Sequence, residues 1–191
     1  MKNLDEINSI KNYYLTNNKE DVLKHIEDVA EIAVGLATAY NLDITKTKLA
    51  ALLHDISGIM TPQKMYDFAK IRSLEIDPAE EKYHALLHQR VSKIIAQDEF
   101  GVTDSDILNA IECHTTLRKN ASLYDKIIFI ADKISWDQKF APFFDDLIKN
   151  ATIEALNKAC YSYIKYQFDN NLLVMAHQWL IDAFDELKMN I

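Results

Sequence analysis

Histidine and aspartate side chains interrupt apolar runs of this chain at places where a charged group is costly to bury. The stretch "LAALLHDISG", residues 49–58, sets His54 and Asp55 side by side directly after a run of alanines and leucines. His25 falls on one helical stripe with apolar neighbours, and Asp132 interrupts the run "KIIFIADKI". An unpaired buried carboxylate costs several kcal/mol, so Asp132 must have a cationic partner or bind a metal.

Two further histidines also face inward by their spacing. His88 precedes Val91 and Ile95, and His114 follows Ile111, each at the interval of one helix face. One such histidine is more often a hydrogen-bonded core residue than a ligand, but five inward-facing positions on separate helices favour a shared metal site. Nitrogen and carboxylate ligands without a thiolate suit iron, manganese, cobalt or zinc at a catalytic centre more than a structural zinc.

The helix that carries the His54-Asp55 doublet can be located from its neighbours. Apolar spacing predicts a preceding helix over residues 21–40, Thr45 can cap the next helix, and Gly58 can end it. The doublet then lies in the last turn, where adjacent side chains are about 100° apart and cannot share one face. They could flank a single ion there, or the aspartate could bridge two ions.

Capping signals locate the remaining helices. Thr61-Pro62 and Asp77-Pro78 each combine an N-cap with a proline at the first helical position. The S/T-x-x-D pattern before apolar runs predicts helices near 103–115 and 122–137, and two amphipathic segments follow from residue 151.

The composition predicts an all-α protein with a single domain over residues 1–191. Three glycines and three prolines are too few for a turn-rich β protein, and the net charge of −8 argues against a nucleic acid or an anionic membrane as partner. Cys113 and Cys160 form no C-x-x-C pair, and the sequence shows no signal peptide or membrane span. We expect a cytoplasmic monomer or homodimer, with residues 20–140 as the metal-binding core and residues 141–191 packing on it.

The order of these residues resembles the HD-domain superfamily of metal-dependent phosphohydrolases, whose motif is a histidine, an HD doublet and a later aspartate. The stretches "LLHQRV", "ILNAIECHTT" and "LYDKIIFIADKI" are similar to the YqeK branch of that superfamily. That branch is associated with symmetrical cleavage of diadenosine tetraphosphate to ADP at a two-iron centre. The resemblance covers residues 20–170 and implies a helical bundle with the metal site in its core and a nucleotide substrate.

The resemblance also implies a ligand set for each ion. The first ion would be held by His25, His54, Asp55 and Asp132. The second would be held by His88 and His114, with Asp55 bridging the two. His84 lies four residues before His88 and is the alternative to it.

Two metals of this kind ionise a water near neutral pH and neutralise phosphoryl oxygens, so the side chains have little covalent chemistry to perform. Lys126 matches a lysine of the family pattern and is the first candidate to stabilise the transferring phosphate, although it could equally be a surface lysine. Thr115 could donate its hydroxyl to a phosphate oxygen or merely end its helix. Arg118 and Lys139 are further candidates to bind the substrate.

The chain departs from the family pattern at four positions. The pattern expects a basic residue at Asp28, a lysine at Gly58, a glycine at Leu117 and an arginine near Gln138. Cations that could compensate are Arg90, Arg118, Lys119 and Lys139. Because three cations of the pattern are missing, metal binding is better supported than diadenosine tetraphosphate as the substrate. The alternatives are an HD phosphohydrolase for another nucleotide or a phosphomonoester, and a catalytically weak sensor of metal and nucleotide.

Overall fold

The computed structural model describes residues 2–136 and 146–190, and this part of the chain is helical without any strand. The helices, in chain order, are α1 (Lys2–Thr16), α2 (Glu20–Ala39), α3 (Ile44–Leu53), α4 (Pro62–Ile71), α5 (Pro78–Lys82), α6 (His88–Asp98), α7 (Ser105–Glu112), α8 (Leu123–Trp136), α9 (Ile153–Asp169) and α10 (Gln178–Met189). Short 3₁₀ turns occupy Ile56–Ile59 and His84–Leu87. The all-α prediction is confirmed.

Helix α2 is the central element of the bundle. It packs against α3 and α8, while α7 contacts α3, α6 and α8. Ile26, Val29, Ala33 and Leu36 of α2 are fully buried, which is the stripe that the sequence spacing predicts. This packing brings the ends of α3, α7 and α8 close to the N-terminal half of α2, where His25 lies.

The helix caps agree with the sequence signals at some starts and differ at others. The side chains of Thr61 and Asp77 cap α4 and α5. Helix α3, however, is capped by Asp43, whose carboxylate accepts from the backbone N–H of Thr45 and Lys46. The expectation that Thr45 is this cap is wrong, because a charged acceptor two residues earlier already satisfies the first free N–H groups and complements the helix dipole.

The C-terminal helices lie against α8. Helix α9 packs on α8, and α10 packs on α9. Cys160, Ile164 and Leu187 join the same hydrophobic cluster as Ile26 of α2. None of the described helices is long and apolar enough to cross a membrane.

Helix α1 has no counterpart in the sequence analysis. Its residues Ile10 and Tyr14 are fully buried, and the Tyr14 hydroxyl lies 3.4 Å from the Leu52 carbonyl of α3. Among the side chains of this helix that the structure describes, only these two are fully buried, so its apolar stripe is narrow and gives a weak sequence signal.

Candidate metal centre

The HD doublet lies where helix α3 gives way to a turn. His54 keeps helical dihedrals, with φ −58° and ψ −35°, whereas Asp55 departs from them, with φ −109° and ψ 22°. The 3₁₀ turn Ile56–Ile59 follows directly. This change of backbone between neighbouring residues lets both side chains face the same cluster, which a continuous helix would prevent.

Three histidine rings of the cluster are held by the same local contact. The Nδ1 atoms of His54, His88 and His114 lie 2.6, 2.6 and 2.8 Å from the backbone carbonyl oxygen three residues earlier. An Nδ1–H that donates to a carbonyl fixes the tautomer in which Nε2 carries a lone pair. All three rings therefore present Nε2 to the cluster as a ligand atom.

The carboxylate of Asp55 lies between two pairs of histidines. Its Oδ2 atom is 3.9 Å from Nε2 of His25 and 3.6 Å from Nε2 of His54. Its Oδ1 atom is 3.5 Å from Nε2 of His88 and 3.4 Å from Nε2 of His114. Each oxygen thus faces a different pair, which is the arrangement that a carboxylate bridging two ions requires.

Asp132 completes the first of these groups from helix α8. Its Oδ1 atom lies 3.0 Å from Nε2 of His25 and 3.8 Å from Nε2 of His54. Its Oδ2 atom accepts a hydrogen bond of 2.6 Å from Nζ of Lys133. Burial raises the pKa of Asp132, but the Lys133 ammonium and the His25 contact outweigh it and hold this pKa below its usual range. The pKa of Asp55 is likewise lowered, because the neighbouring histidines outweigh its burial.

The polar atoms of the cluster are arranged better for binding a metal than for hydrogen bonding to one another. His54 Nε2 is buried and has no hydrogen-bond partner. The Nε2 atoms of His88 and His114 lie 2.9 Å apart, yet the Nδ1–H of each ring is already used. Burial lowers the pKa of His114 to about 4, so this ring is neutral at pH 7. Imidazole nitrogens and carboxylate oxygens that converge in this way suit a divalent transition metal.

Three groups of ligand atoms could each hold an ion. Within each group, the atoms lie within 4.8 Å of one another. The groups are His25, His54 and Asp55; His54, His114 and Asp132; and Asp55, His88 and His114. The structure therefore brings together all six residues that the sequence analysis assigns as ligands.

His84 lies apart from these groups. Its ring stacks on Tyr66, with centroids 4.0 Å apart and planes at 14°. The predicted helix from Asp77 ends at Lys82, and a 3₁₀ turn from His84 to Leu87 precedes α6. The alternative assignment of His84 as a ligand requires His84 and His88 to share a helix face. They do not, because His84 is in the 3₁₀ turn and His88 begins α6.

Two of the predicted phosphate-binding cations lie away from the cluster. The positive charge of Lys126 acts on the Cys160 thiol of α9, and Lys126 is not among the residues that line the cleft over the cluster. Arg118 is 3.5 Å from a Glu112 oxygen and 3.2 Å from an Asp125 oxygen, so its charge is already balanced. These placements do not support the predicted roles of Lys126 and Arg118. Lys139 and Gln138 lie outside the described residues.

Four side chains near the cluster were missed by the sequence analysis. Lys133, Trp136 and Tyr163 line the same cleft as four of the candidate ligands, together with Thr115. Gln89 is buried and accepts hydrogen bonds from the backbone N–H groups of Thr115 and Thr116. Two sequence signals were available: Lys133 directly follows Asp132, and Trp136 follows it by one helical turn.

Two of the departures from the family pattern have a clear place in the structure. Leu117 is fully buried and has φ 56°, in the left-handed region that glycine adopts most easily, which explains the glycine expected there. Gly58 lies on the 3₁₀ turn and lines the cleft. Asp28 is exposed on α2 and does not line the cleft.

Comparison with known proteins decides the family. The HD domain family matches residues 22–137. The chain belongs to the HD-domain family. A protein of Lactococcus lactis subsp. cremoris, named only as uncharacterized in the pepC 5' region, is 38% identical over 141 residues, which are 73% of this chain and 71% of that protein.

Two other relatives carry functional descriptions. A symmetrical bis(5'-nucleosyl)-tetraphosphatase of Staphylococcus aureus is 35% identical over 143 residues, covering 74% of this chain and 72% of the relative. The crystal structure of a predicted HD superfamily hydrolase from Clostridium acetobutylicum, described as involved in NAD metabolism, is 34% identical, with a TM-score of 0.83. It covers 96% of this chain and 97% of its own. These matches support an HD-domain phosphohydrolase.

Proposed function

We propose that this HD-domain phosphohydrolase cleaves a nucleotide phosphoanhydride, and that its substrate is a dinucleoside polyphosphate such as diadenosine tetraphosphate, cut symmetrically to ADP. The observation that carries the proposal is the position of Asp55, with each carboxylate oxygen facing a different pair of histidines. The tetraphosphatase of S. aureus, similar over most of its length, supports the same reaction.

In this proposal the chain holds two ions through six residues. His25, His54, Asp55 and Asp132 would hold the first, and His88, His114 and Asp55 the second. Iron is the metal of first choice, with manganese, cobalt and zinc as alternatives that the same donor set accepts. When bound, such ions lower the pKa of water and neutralise phosphoryl oxygens.

The remaining side chains would position the substrate. The Thr115 hydroxyl oxygen lies 2.9 Å from Nε2 of His88 and can donate to its lone pair; with that nitrogen bound to a metal, the hydroxyl would be free to donate to a phosphate oxygen. Lys133 is the one cationic side chain among the described residues that line the cleft, and its ammonium donates a hydrogen bond to Asp132. Asp55 acts as a catalytic residue because it contacts both halves of the centre.

A second candidate is hydrolysis of a different nucleotide. The relative from C. acetobutylicum is described as involved in NAD metabolism, and the cleft of this chain offers few cations to a tetraphosphate. A pyrophosphate bond or a phosphomonoester would need less positive charge. A weak enzyme that senses metal and nucleotide is the third possibility. The cytoplasmic location and the monomeric or homodimeric state stay predictions.

Product analysis tests the proposal. Protein loaded with ferrous iron or manganese is incubated with diadenosine tetraphosphate, and the nucleotides are separated by anion exchange. We expect ADP as the only product and no activity after chelation. ATP and AMP in equal amounts would contradict symmetrical cleavage. Faster turnover of NAD or of a mononucleotide would favour the second candidate, and nucleotide binding without turnover would favour the sensor.

A further inference from the structure

We propose that the apolar lining of the cleft is a stacking platform for the nucleobase of the substrate, with Trp136 as its main surface. The inference depends on the proposed function in one respect, namely that the ligand is a nucleotide. It assigns to the cleft a second binding site beside the metal centre, specific for a planar aromatic ring. Stacking accepts every base, so the platform would select nucleotides over other phosphates without choosing among bases.

Trp136 is held over the metal centre by its place in α8. It follows Asp132 by four residues, so the two side chains lie on the same face of the helix. Its ring centroid is 4.8 Å from that of His25, with the planes tilted by 43°. Nevertheless, 71% of Trp136 is exposed. One side of the indole thus rests on a metal-ligand ring while much of its surface faces solvent.

Four further apolar side chains line the cleft. They are Val22, Met60, Pro62 and Met65, and methionine side chains adapt readily to flat aromatic ligands. Gly58 lies among them, and a Cβ added there would come 3.4 Å from Val22 Cγ1. The absence of a side chain at this position therefore leaves space next to the apolar surface.

Polar and apolar residues line one cavity. Its volume is about 430 Å³, within the range of roughly 300 to 1,000 Å³ typical of small-molecule sites. Asp55, His88, His114 and Asp132 are the lining residues near which the phosphates would bind. A phosphate near these residues puts the attached nucleoside within the same cavity as Trp136. An exposed aromatic surface beside a polar site is typical of ligand binding.

Fluorescence can test the platform directly, because the chain contains only two tryptophans. The substitution Trp179→Phe leaves Trp136 as the only tryptophan. Residue 179 is on α10 and is not among the residues that line the cleft. Zinc-loaded protein with this substitution is titrated with ADP, and with tripolyphosphate as the matched ligand without a base. We expect ADP to quench and shift the Trp136 emission and tripolyphosphate to leave it nearly unchanged. ADP binding by equilibrium dialysis without an emission change would overturn the inference, as would no ADP binding.

A substitution series provides the second measurement. Trp136→Ala should weaken ADP binding about tenfold and leave tripolyphosphate binding and metal content unchanged, because it removes stacking only. Trp136→Phe should restore most of the affinity. Equal weakening of both ligands by Trp136→Ala would contradict the inference. If nucleotides quench the Trp136 emission but diadenosine tetraphosphate is not cleaved to ADP, the proposed function is wrong while the stacking platform stands.

Discussion

Nε2 of His88 and Nε2 of His114 lie 2.9 Å apart, although the Nδ1 atoms of both rings are already engaged with backbone carbonyls. Neither Nε2 atom can donate to the other while both rings are neutral, so two lone pairs face each other. Such a contact is unfavourable unless a cation shares it. The local fold around each histidine thus orients both Nε2 atoms as one half of the proposed metal site would require.

Replacement of Asp55 by alanine should remove bound metal and activity together, since this carboxylate faces both histidine pairs. We expect activity to fall by roughly three to four orders of magnitude, the size seen when a central catalytic group is lost. Metal content by atomic emission and turnover of the nucleotide substrate are the two measurements. His84→Ala is the matched control, because this ring stacks on Tyr66 instead of facing the cluster. A metal-loaded, active Asp55→Ala protein would exclude the ligand assignment.

Gln89 should act as a positioning residue for the second histidine pair. Its Oε1 atom accepts from the backbone N–H of Thr115 at 3.0 Å and of Thr116 at 3.2 Å, and so holds the segment that follows His114. Gln89→Leu leaves both N–H groups unpaired, and we expect metal affinity to fall about tenfold. Isothermal titration of metal-free protein measures this. Gln89→Glu keeps the acceptor and should recover part of the affinity; equal losses in both variants would mean that the contact has no positioning role.

A lysine at position 58 should restore one of the missing cations. The Cβ of a residue there would lie 3.4 Å from Val22 Cγ1, an ordinary contact, and the side chain would enter the cleft. We expect Gly58→Lys to lower KM for a polyphosphate substrate about fivefold, and the gain to shrink at high salt. Gly58→Gln is the neutral control of similar length. An equal change of KM in both variants would show that charge is not the cause.

The buried carboxylate of Glu80 gives the fold a dependence on pH that is independent of the metal centre. Burial raises its pKa, but the His177 contact, the Asp77 backbone N–H and Arg90 together lower it below the ordinary value of 4.5. A lowered carboxyl pKa stabilises the fold above the ordinary value, and this stabilisation is lost as the pH falls through the folded-state pKa. Glu80→Gln should therefore lower the free energy of unfolding by about 2 kcal/mol at pH 7 and by less below pH 4.5.

Urea unfolding at several pH values checks this dependence. Glu154→Gln, an exposed glutamate of α9, is the control and should change stability by less than about 0.5 kcal/mol. A stability difference between wild type and Glu80→Gln that stays constant from pH 7 to pH 3.5 (about one unit below an ordinary glutamate pKa) would refute the linkage.

Much of the fold could be predicted because its signals are local. The stripe of α2 and the caps at Thr61 and Asp77 each depend on residues a few positions apart. The break between Lys82 and His88 was missed because it depends on tertiary packing, including the stacking of His84 on Tyr66.

The candidate site divides in the same way. Residue types and inward spacing pointed to the positions that the structure brings together, and the family resemblance implied the six candidate ligands among them. Identifying the cation that lines the cleft required knowing which face of α8 points toward the cluster. Lys126 lies six residues before Asp132, about 240° around the helix, so it points away from the ligand that defines the site. Lys133 stays near because its ammonium folds back onto Asp132.

The pairing of Lys133 with Asp132 also determines how the cleft would respond to a polyanion. Among the described residues that line it, two carboxylates face one ammonium, and the whole chain is acidic. A polyphosphate would be repelled before metal binds and attracted afterwards. The coupling between two binding sites is reciprocal. If bound metal raises the affinity for a nucleotide by some factor, bound nucleotide raises the affinity for metal by the same factor. Nucleotide and metal would then bind cooperatively, each raising the affinity of the protein for the other.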